Sequence, residues 1–307
     1  MGQAALFSGQ GAQHVGMGRS YLAASDEMRV CFSQAGELLG LDLQKLCCEG
    51  PLEELTRTEV CQPALFTVGY GIFLTLERRG FWSDLRVCLG QSLGEWTALA
   101  AAGAISFAHG LSAVAWRARC MQAACDAGGG AMAALVGGDR EKIFQLCEAT
   151  GTVVSNYNAP DQLVLSGSEA AIAAALERVG ECSVRRAIPL AVAGAYHSPA
   201  MEPARQNFIA ALESLPIARP RIPVLSNVTG RAMEDPEEIR RLLAEQIVRP
   251  VRWEDCLRTA EKLGATHFYE CGAGRVLVGL ARKTLPGAWA GDVNDYPEPR
   301  LDSRAQR

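Results

Sequence analysis

Apolar positions along this chain fall into two rhythms. Short, mostly apolar runs read as buried strands, among them residues 3–7 (Gln-Ala-Ala-Leu-Phe) and Leu85-Arg86-Val87-Cys88-Leu89. Longer stretches with helical spacing read as amphipathic helices. Over Ala108–Cys125 the apolar positions Val114, Ala118, Met121 and Cys125 recur at i, i+4, i+7 and i+11. Arg117 falls on that apolar face, and Arg119 points away from it. Glu95-Trp96-Thr97-Ala98-Leu99-Ala100-Ala101-Ala102 is rich in helix formers, with Gly103 where a helix C-cap belongs.

The segment from Ala131 to Leu190 has its own pattern. Ala131–Val136 reads as strand, Asp139–Thr150 as helix, and Thr152–Asn156 and Gln162–Ser166 as strands. Glu169–Val179 then reads as helix and Ser183–Leu190 as strand. That βαββαβ order is the split, ferredoxin-like pattern. Gly128-Gly129-Gly130 precedes it and Ala191-Val192-Ala193-Gly194-Ala195 follows it, so both flanks read as crossings between domains. The expected division is a large α/β domain from residues 1–127 and 194–285 with a small domain, 128–193, inserted into it. The stretch 286–307 is poor in apolar residues and reads as a mobile tail.

Composition narrows the classes. The 307 residues suit one large domain or two unequal ones, and 49% hydrophobic content supports a sizeable core. A net charge of −4 offers no bulk attraction to nucleic acid or an anionic membrane. No apolar run reaches the roughly 18 residues of a membrane span. The N-terminus has neither a basic region nor a long apolar segment, so no secretory signal is expected and the cytoplasm is the expected compartment. Eleven cysteines are scattered with no CxxC pair, which fits reduced thiols used as small core residues and no metal site.

The chemistry starts at Gly90-Gln91-Ser92-Leu93-Gly94, with a strand before it and a helix after it. That is the context of a nucleophile elbow, a tight turn that lifts a serine hydroxyl clear of the backbone at a helix N-terminus. Small residues are needed at positions 90 and 94. A serine needs a base, and the chain has four histidines: His14, His109, His197 and His267. His197 lies at the return from the small domain, at the mouth of an interdomain cleft. His14 sits beside the loop Ser8-Gly9-Gln10-Gly11-Ala12-Gln13, and both remain candidates. That loop lacks the Walker lysine and the third glycine of a dinucleotide motif, so it reads as a source of backbone N–H groups near a reacting centre. Arg117 in an apolar stripe reads as one half of an internal salt bridge, as a side chain that snorkels to water, or as a grip on a substrate carboxylate through two parallel hydrogen bonds. Gln62-Pro63-Ala64, Asn156, Asn158, Ser226-Asn227 and Gln246 are polar residues in apolar surroundings; taken singly, each reads as a turn or cap residue.

Taken together these motifs resemble the malonyl-CoA:acyl carrier protein transacylase family, which includes the acyltransferase domains of polyketide synthases. The resemblance covers about residues 3–285. It rests on Gly9-Gln10-Gly11-Ala12-Gln13, Gln62-Pro63-Ala64, Gly90 to Glu95, and Arg117 with Met121-Gln122. It continues through Asn156-Tyr157-Asn158, Gly194 to Ser198, Gln246 with Pro250-Val251-Arg252-Trp253, and Glu270-Cys271-Gly272-Ala273-Gly274.

The resemblance implies an α/β-hydrolase-like core with a ferredoxin-like insertion. It implies Ser92 as the nucleophile and His197 as base and then acid. Arg117 becomes the clamp on the malonyl carboxylate, and the backbone N–H groups of Gln10 and Leu93 the oxyanion hole. The backbone carbonyl of Gln246 orients His197, and Gln62 lines the cleft. Asn158, Gln91 and Tyr196 fall among the substrate-facing positions. Malonyl-CoA and an acyl carrier protein are the implied substrate and partner, with no bound cofactor; the chain length, by itself, suggests a monomer. Two departures stand out. Gln91 replaces the family's usual histidine, which implies a changed rate or acyl preference. Tyr196 replaces the phenylalanine common in malonyl-selective members, and its bulk favours malonyl over methylmalonyl. Arg185-Arg186 and Arg219 with Arg221 are the candidate basic patches for an acidic carrier. A hydrolase on the same scaffold and a non-catalytic carrier-binding module are the competing readings.

Overall fold

The computed structural model describes residues 1–293. The strands among them are β1 (Gln3–Phe7), β2 (Leu85–Gly90), β3 (Ala131–Gly137), β4 (Val153–Ala159), β5 (Gln162–Gly167), β6 (Val184–Pro189), β7 (Val224–Leu225), β8 (Ala232–Met233), β9 (His267–Cys271) and β10 (Trp289–Asp292). They form two sheets. The larger has the order β10-β9-β1-β2-β7-β8, parallel from β10 through β7 and closed by the antiparallel β8. The smaller has the order β4-β5-β3-β6 and is antiparallel throughout. The molecule is therefore a mixed α/β protein with a separate antiparallel sheet.

All five residues of β1 are buried, as a central strand covered on both faces requires. The mostly apolar run at the start of the chain has this position as its cause. Behind the sheet, helices Thr58–Arg78, Leu93–Ala101 and Phe107–Gly128 pack on one another. Thr58–Arg78 has the length and apolarity to cross a membrane, but 83% of its most apolar window is buried inside the protein. It is a core helix, and its apolarity belongs to that position. Leu93–Ala101 is buried along its whole length between the sheet and its neighbours. Its small residues (Ala98, Ala100, Ala101) allow that close approach.

The smaller sheet carries the helices Arg140–Thr150, between β3 and β4, and Glu169–Arg178, between β5 and β6. It is tied to the larger unit by backbone. Tyr157 N–H donates to Val251 O at 2.9 Å, and Val251 N–H donates to Ser155 O at 2.8 Å. Arg140 adds an ion pair with Glu254 at 2.5 Å.

One sequence expectation needs correction. The tail was expected to be mobile from residue 286, yet Trp289–Asp292 forms β10 and pairs in parallel with β9. Ala290 and Val293 are buried. A four-residue strand containing a glycine is too short to show a period of its own; its structure comes from the partner strand. Residues 294–307, the rest of that expected tail, lie outside the described residues. All eleven cysteines are free and buried.

The tightest approach in the molecule lies between β1, β2 and the helix that follows β2. A Cβ on Gly94 would stand 2.0 Å from Phe7 O, and one on Gly90 would stand 1.9 Å from Gly94 C. Both neighbours are backbone and cannot swing aside. Gly94→Ala is therefore expected to lower the unfolding free energy by about 1–3 kcal/mol or more. Gly128→Ala, where nothing lies within 4 Å, is the control and should stay within about 0.5 kcal/mol of wild type. Urea midpoints of the two variants check this, and equal midpoints would refute it.

Candidate active site

β2 ends at Gly90 and the chain turns sharply into Leu93–Ala101. At the turn Ser92 has φ 53° and ψ −104°, a backbone conformation that costs a non-glycine residue free energy. The surroundings hold it there. Gln91 N–H donates to Phe7 O at 3.0 Å. Asn227 grips the turn from both sides, its Oδ1 accepting from Ser92 N–H at 2.6 Å and its Nδ2 donating to Gly90 O at 2.8 Å. Ser92 Oγ is thereby presented to a histidine.

That histidine is His197. Its Nε2 lies 2.7 Å from Ser92 Oγ, and its Nδ1 lies 2.7 Å from the backbone carbonyl of Gln246. With a carbonyl opposite, Nδ1 carries the proton and Nε2 offers its lone pair to the serine hydroxyl. The ring is almost wholly buried. Burial first, then the nearby Arg117 charge, pushes its pKa down to about 4, against the hydrogen bond to Gln246. The imidazole is therefore a neutral base at ordinary pH. The other histidines lie elsewhere: His14 beside Val15 O, His109 on the capping hydroxyl of Ser106, and His267 stacked against Tyr269 and Trp289.

Arg117, read from sequence as an arginine in an apolar stripe, has no exposure at all. Its Nη1 donates to Gln62 Oε1 at 2.7 Å, and its Nη2 donates to Gln246 Oε1 at 3.0 Å and Ser92 Oγ at 3.1 Å. Its Nε has no partner among the described residues. Burial lowers its pKa to about 10, opposed by Glu95, so the guanidinium stays charged at neutral pH. The internal carboxylate that the sequence left open is Glu95, reached through Gln246. Gln246 Nε2 donates to Glu95 Oε2 at 2.7 Å and to Ser92 O at 3.0 Å.

A cavity of about 770 Å³ opens over this cluster. Its wall is shared by the two sheets: Ser92, His197, Gln10 and Gln62 on one side, Met132, Asn156 and Asn158 on the other. Gln10 comes close because Gly9 packs onto the turn, where a Cβ would meet Gln91 O at 2.5 Å. Gln62 Nε2 donates to Gln10 Oε1 at 3.3 Å. Leu93, buried, opens the helix after Ser92. Tyr196 lines the cavity with its hydroxyl 3.1 Å from Thr58 Oγ1. Gln91 turns from His197 to donate to Asn158 Oδ1 at 2.8 Å, joining the turn to β4. The basic patches read from sequence are partly neutralised, since Arg185 pairs with Asp161 and Arg219 with Glu234. Among the described residues no cluster of three or more His, Cys, Asp or Glu is arranged to hold a metal ion.

Sequence reading missed three members of this site. Glu95 was counted as a helix residue, Asn227 as a turn residue, and Thr58 not at all. The only signal available for Glu95 was a charged residue amid the apolar Leu93–Ala101 run, the same signal that singled out Arg117.

The acyl transferase domain family matches residues 5–294 of the chain. The malonyl CoA-acyl carrier protein transacylase of Bacillus subtilis is 38% identical over 283 residues, 91% of this chain and 89% of that protein. An acyl carrier protein S-malonyltransferase from Vibrio cholerae superposes with a TM-score of 0.92 at 34% identity, covering 96% of this chain and 97% of that one. A malonyl-transacylase solved in complex with its type II polyketide synthase acyl-carrier protein matches equally, with a TM-score of 0.92, 34% identity and coverage of 96% and 97%.

The geometry around Ser92 sets a pH dependence. Labelling of Ser92 by a small fluorophosphonate is expected to rise with pH through about 4, as His197 loses its proton, and then to stay level. His197→Ala should slow it by about 10²- to 10⁴-fold. Intact mass against time at each pH checks both, and a midpoint near the free imidazole value of about 6.5 would refute the effect of burial.

Proposed function

The chain belongs to the acyl transferase domain family, and from that premise we infer that it is a malonyl-CoA:acyl carrier protein transacylase. The observation that carries the reading is the convergence of His197 Nε2 and the Arg117 guanidinium on Ser92 Oγ, with Ser92 and His197 lining one cavity and Arg117 buried behind them. A serine and base alone would suit many acyl groups. A buried guanidinium touching the nucleophile suits an acyl group that bears its own carboxylate.

In the first half-reaction His197 Nε2 takes the Ser92 proton as Oγ attacks the thioester carbonyl. The oxyanion is held by the backbone N–H groups of Gln10 and Leu93, and the malonyl carboxylate lies against Arg117 with two parallel hydrogen bonds. Collapse expels the CoA thiolate, which takes the proton from His197 and leaves malonyl-Ser92. In the second half the phosphopantetheine thiol of the carrier gives its proton to His197 and attacks the ester. Collapse then returns the proton to Ser92. Gln246 O holds the imidazole, where a catalytic triad would use a carboxylate. Beyond the bond made and broken at Ser92 Oγ, the chain's own groups contribute proton transfer and charge stabilisation.

The finer fold reading accompanies this function. The larger sheet with its serine turn is read as an α/β-hydrolase-like core. The smaller unit is read as ferredoxin-like, supported by its βαββαβ order and the strand order β4-β5-β3-β6. Fatty acid and polyketide synthesis both supply carriers of the kind required.

Brief incubation of wild type with malonyl-CoA and no carrier should give a malonyl adduct by intact mass, absent in Ser92→Ala. Arg117→Ala should lower kcat/KM for malonyl-CoA by about 10²- to 10³-fold, in the range found for removing a charge-stabilising donor. Chase with carrier protein separates transfer from hydrolysis: loss of the adduct at equal rates with and without carrier would refute the transferase.

Tyr196 stands where an α-substituent of the acyl group would crowd its ring. Tyr196→Ser is expected to shift the methylmalonyl to malonyl ratio of kcat/KM upward by about tenfold or more, the usual worth of one methyl group in a close-fitting pocket. An unchanged ratio would remove the steric argument.

A further inference from the structure

Glu95 has no place in the proton transfers above, yet it is completely buried beside them. Its hydrogen bonds are lopsided. Gln246 Nε2 at 2.7 Å and Asn227 N–H at 2.9 Å both donate to Oε2, and Oε1 has no partner among the described residues. An ionised carboxylate buried with donors on one oxygen only is poorly compensated, and Oε1 is the atom left open to take up a proton. Gln246 then links Glu95 to Arg117, since its amide nitrogen donates to the carboxyl and its amide oxygen accepts from the guanidinium.

Counting charge in this dry pocket leads to the inference. With Glu95 ionised, the pair Arg117–Glu95 is neutral overall. An incoming carboxylate makes direct contact with Arg117 and leaves one buried negative charge in excess, and such a charge costs several kcal/mol. Glu95, held only through Gln246, is the weaker of the two ligands. We propose that Glu95 is a positioning residue, the internal counter-ion of Arg117 in the free enzyme, and that it takes a proton from solvent as the malonyl carboxylate arrives. The proposal rests on the reading that the acyl group presents a carboxylate to Arg117.

The surroundings agree with it. Burial already pushes the Glu95 carboxyl up to about 7, against the hydrogen bonds from Asn227 and Gln246 and the charge of Arg117. Besides Arg117, the titratable group that interacts with it is the Cys256 thiol, which burial raises well above its ordinary value with Glu95 adding to the effect. That thiol supplies no competing positive charge. Binding of a carboxylate and protonation of Glu95 are then linked, so apparent affinity for malonyl-CoA falls as pH rises above about 7.

Calorimetry on Ser92→Ala at pH 8, in two buffers of different ionisation enthalpy, reads the proton directly. Malonyl-CoA is expected to take up about one proton more than acetyl-CoA, and that difference should vanish in Ser92→Ala/Glu95→Gln. In the wild-type enzyme, KM for malonyl-CoA should climb by up to about tenfold per pH unit above 7, with a flat profile in Glu95→Gln. Tighter binding of malonyl-CoA than acetyl-CoA with no extra proton, or with an extra proton that survives Glu95→Gln, would overturn the role of Glu95 alone. Malonyl-CoA binding no tighter than acetyl-CoA would overturn the carboxylate reading beneath it. The acetyl-CoA comparison is made on a chain that keeps Glu95, so absence of the extra proton overturns the proposal even if the double variant fails to fold, and the wild-type and Glu95→Gln KM profiles then assign a proton that is seen.

Discussion

A guanidinium with no exposure to water must be given its hydrogen-bond acceptors by the protein, and the acceptors given to Arg117 come from widely separated parts of the chain. Gln62 lies in the long core helix, Ser92 on the turn after β2, and Gln246 at the end of the Pro236–Gln246 helix. Each of these residues has a second duty. Gln62 holds Gln10, Ser92 meets His197, and Gln246 holds both His197 and Glu95. The cation is thus a node through which the loop, the nucleophile and the base are set relative to one another. Its charge also helps to keep His197 neutral, so one side chain fixes both the positions and the protonation of the site.

The parts of this arrangement that were legible in the sequence are those carried by local pattern. Gly90 and Gly94 around Ser92 announce a turn that excludes side chains, and the backbone contacts show why. Arg117 announces itself as a charge on an apolar face. His197 stands ahead of His14 by its position at the mouth of the interdomain cleft, and the family resemblance strengthens that choice. What stayed hidden depends on contacts distant in sequence. Asn227 is an ordinary turn residue until the fold brings it to Gly90 and Ser92. Glu95 gains its meaning from Gln246, 151 positions away. β10 is a strand only because β9 is beside it.

The two sheets divide the work on the ligand. The parallel sheet delivers Ser92 on the turn after β2, where the bond from Gln91 N–H to Phe7 O and the bonds to both ends of the Asn227 amide hold it. The antiparallel sheet supplies the opposite wall of the cavity and touches the reacting turn through the Gln91–Asn158 hydrogen bond. The Val251 bridge to Ser155 and Tyr157 fixes the spacing of the wall on the same strand that carries Asn158. Cavity width is therefore governed by backbone hydrogen bonds, and its lining can vary without changing its span.

The burial of all eleven cysteines has a chemical meaning for a protein that trades in thioesters. Throughout its cycle it stands beside activated acyl groups and free thiols, and a protein thiolate within reach would intercept the acyl group or exchange with the carrier arm. Cys61, in the same helix as Gln62, has its ionisation pushed up to about 12 by burial, and Cys88, two residues before the end of β2, is pushed higher still. The sulfur atoms of the chain are thus chemically silent. Under the proposed mechanism the acyl group meets the oxygen of Ser92, and the sulfurs that take part in the exchange arrive from outside.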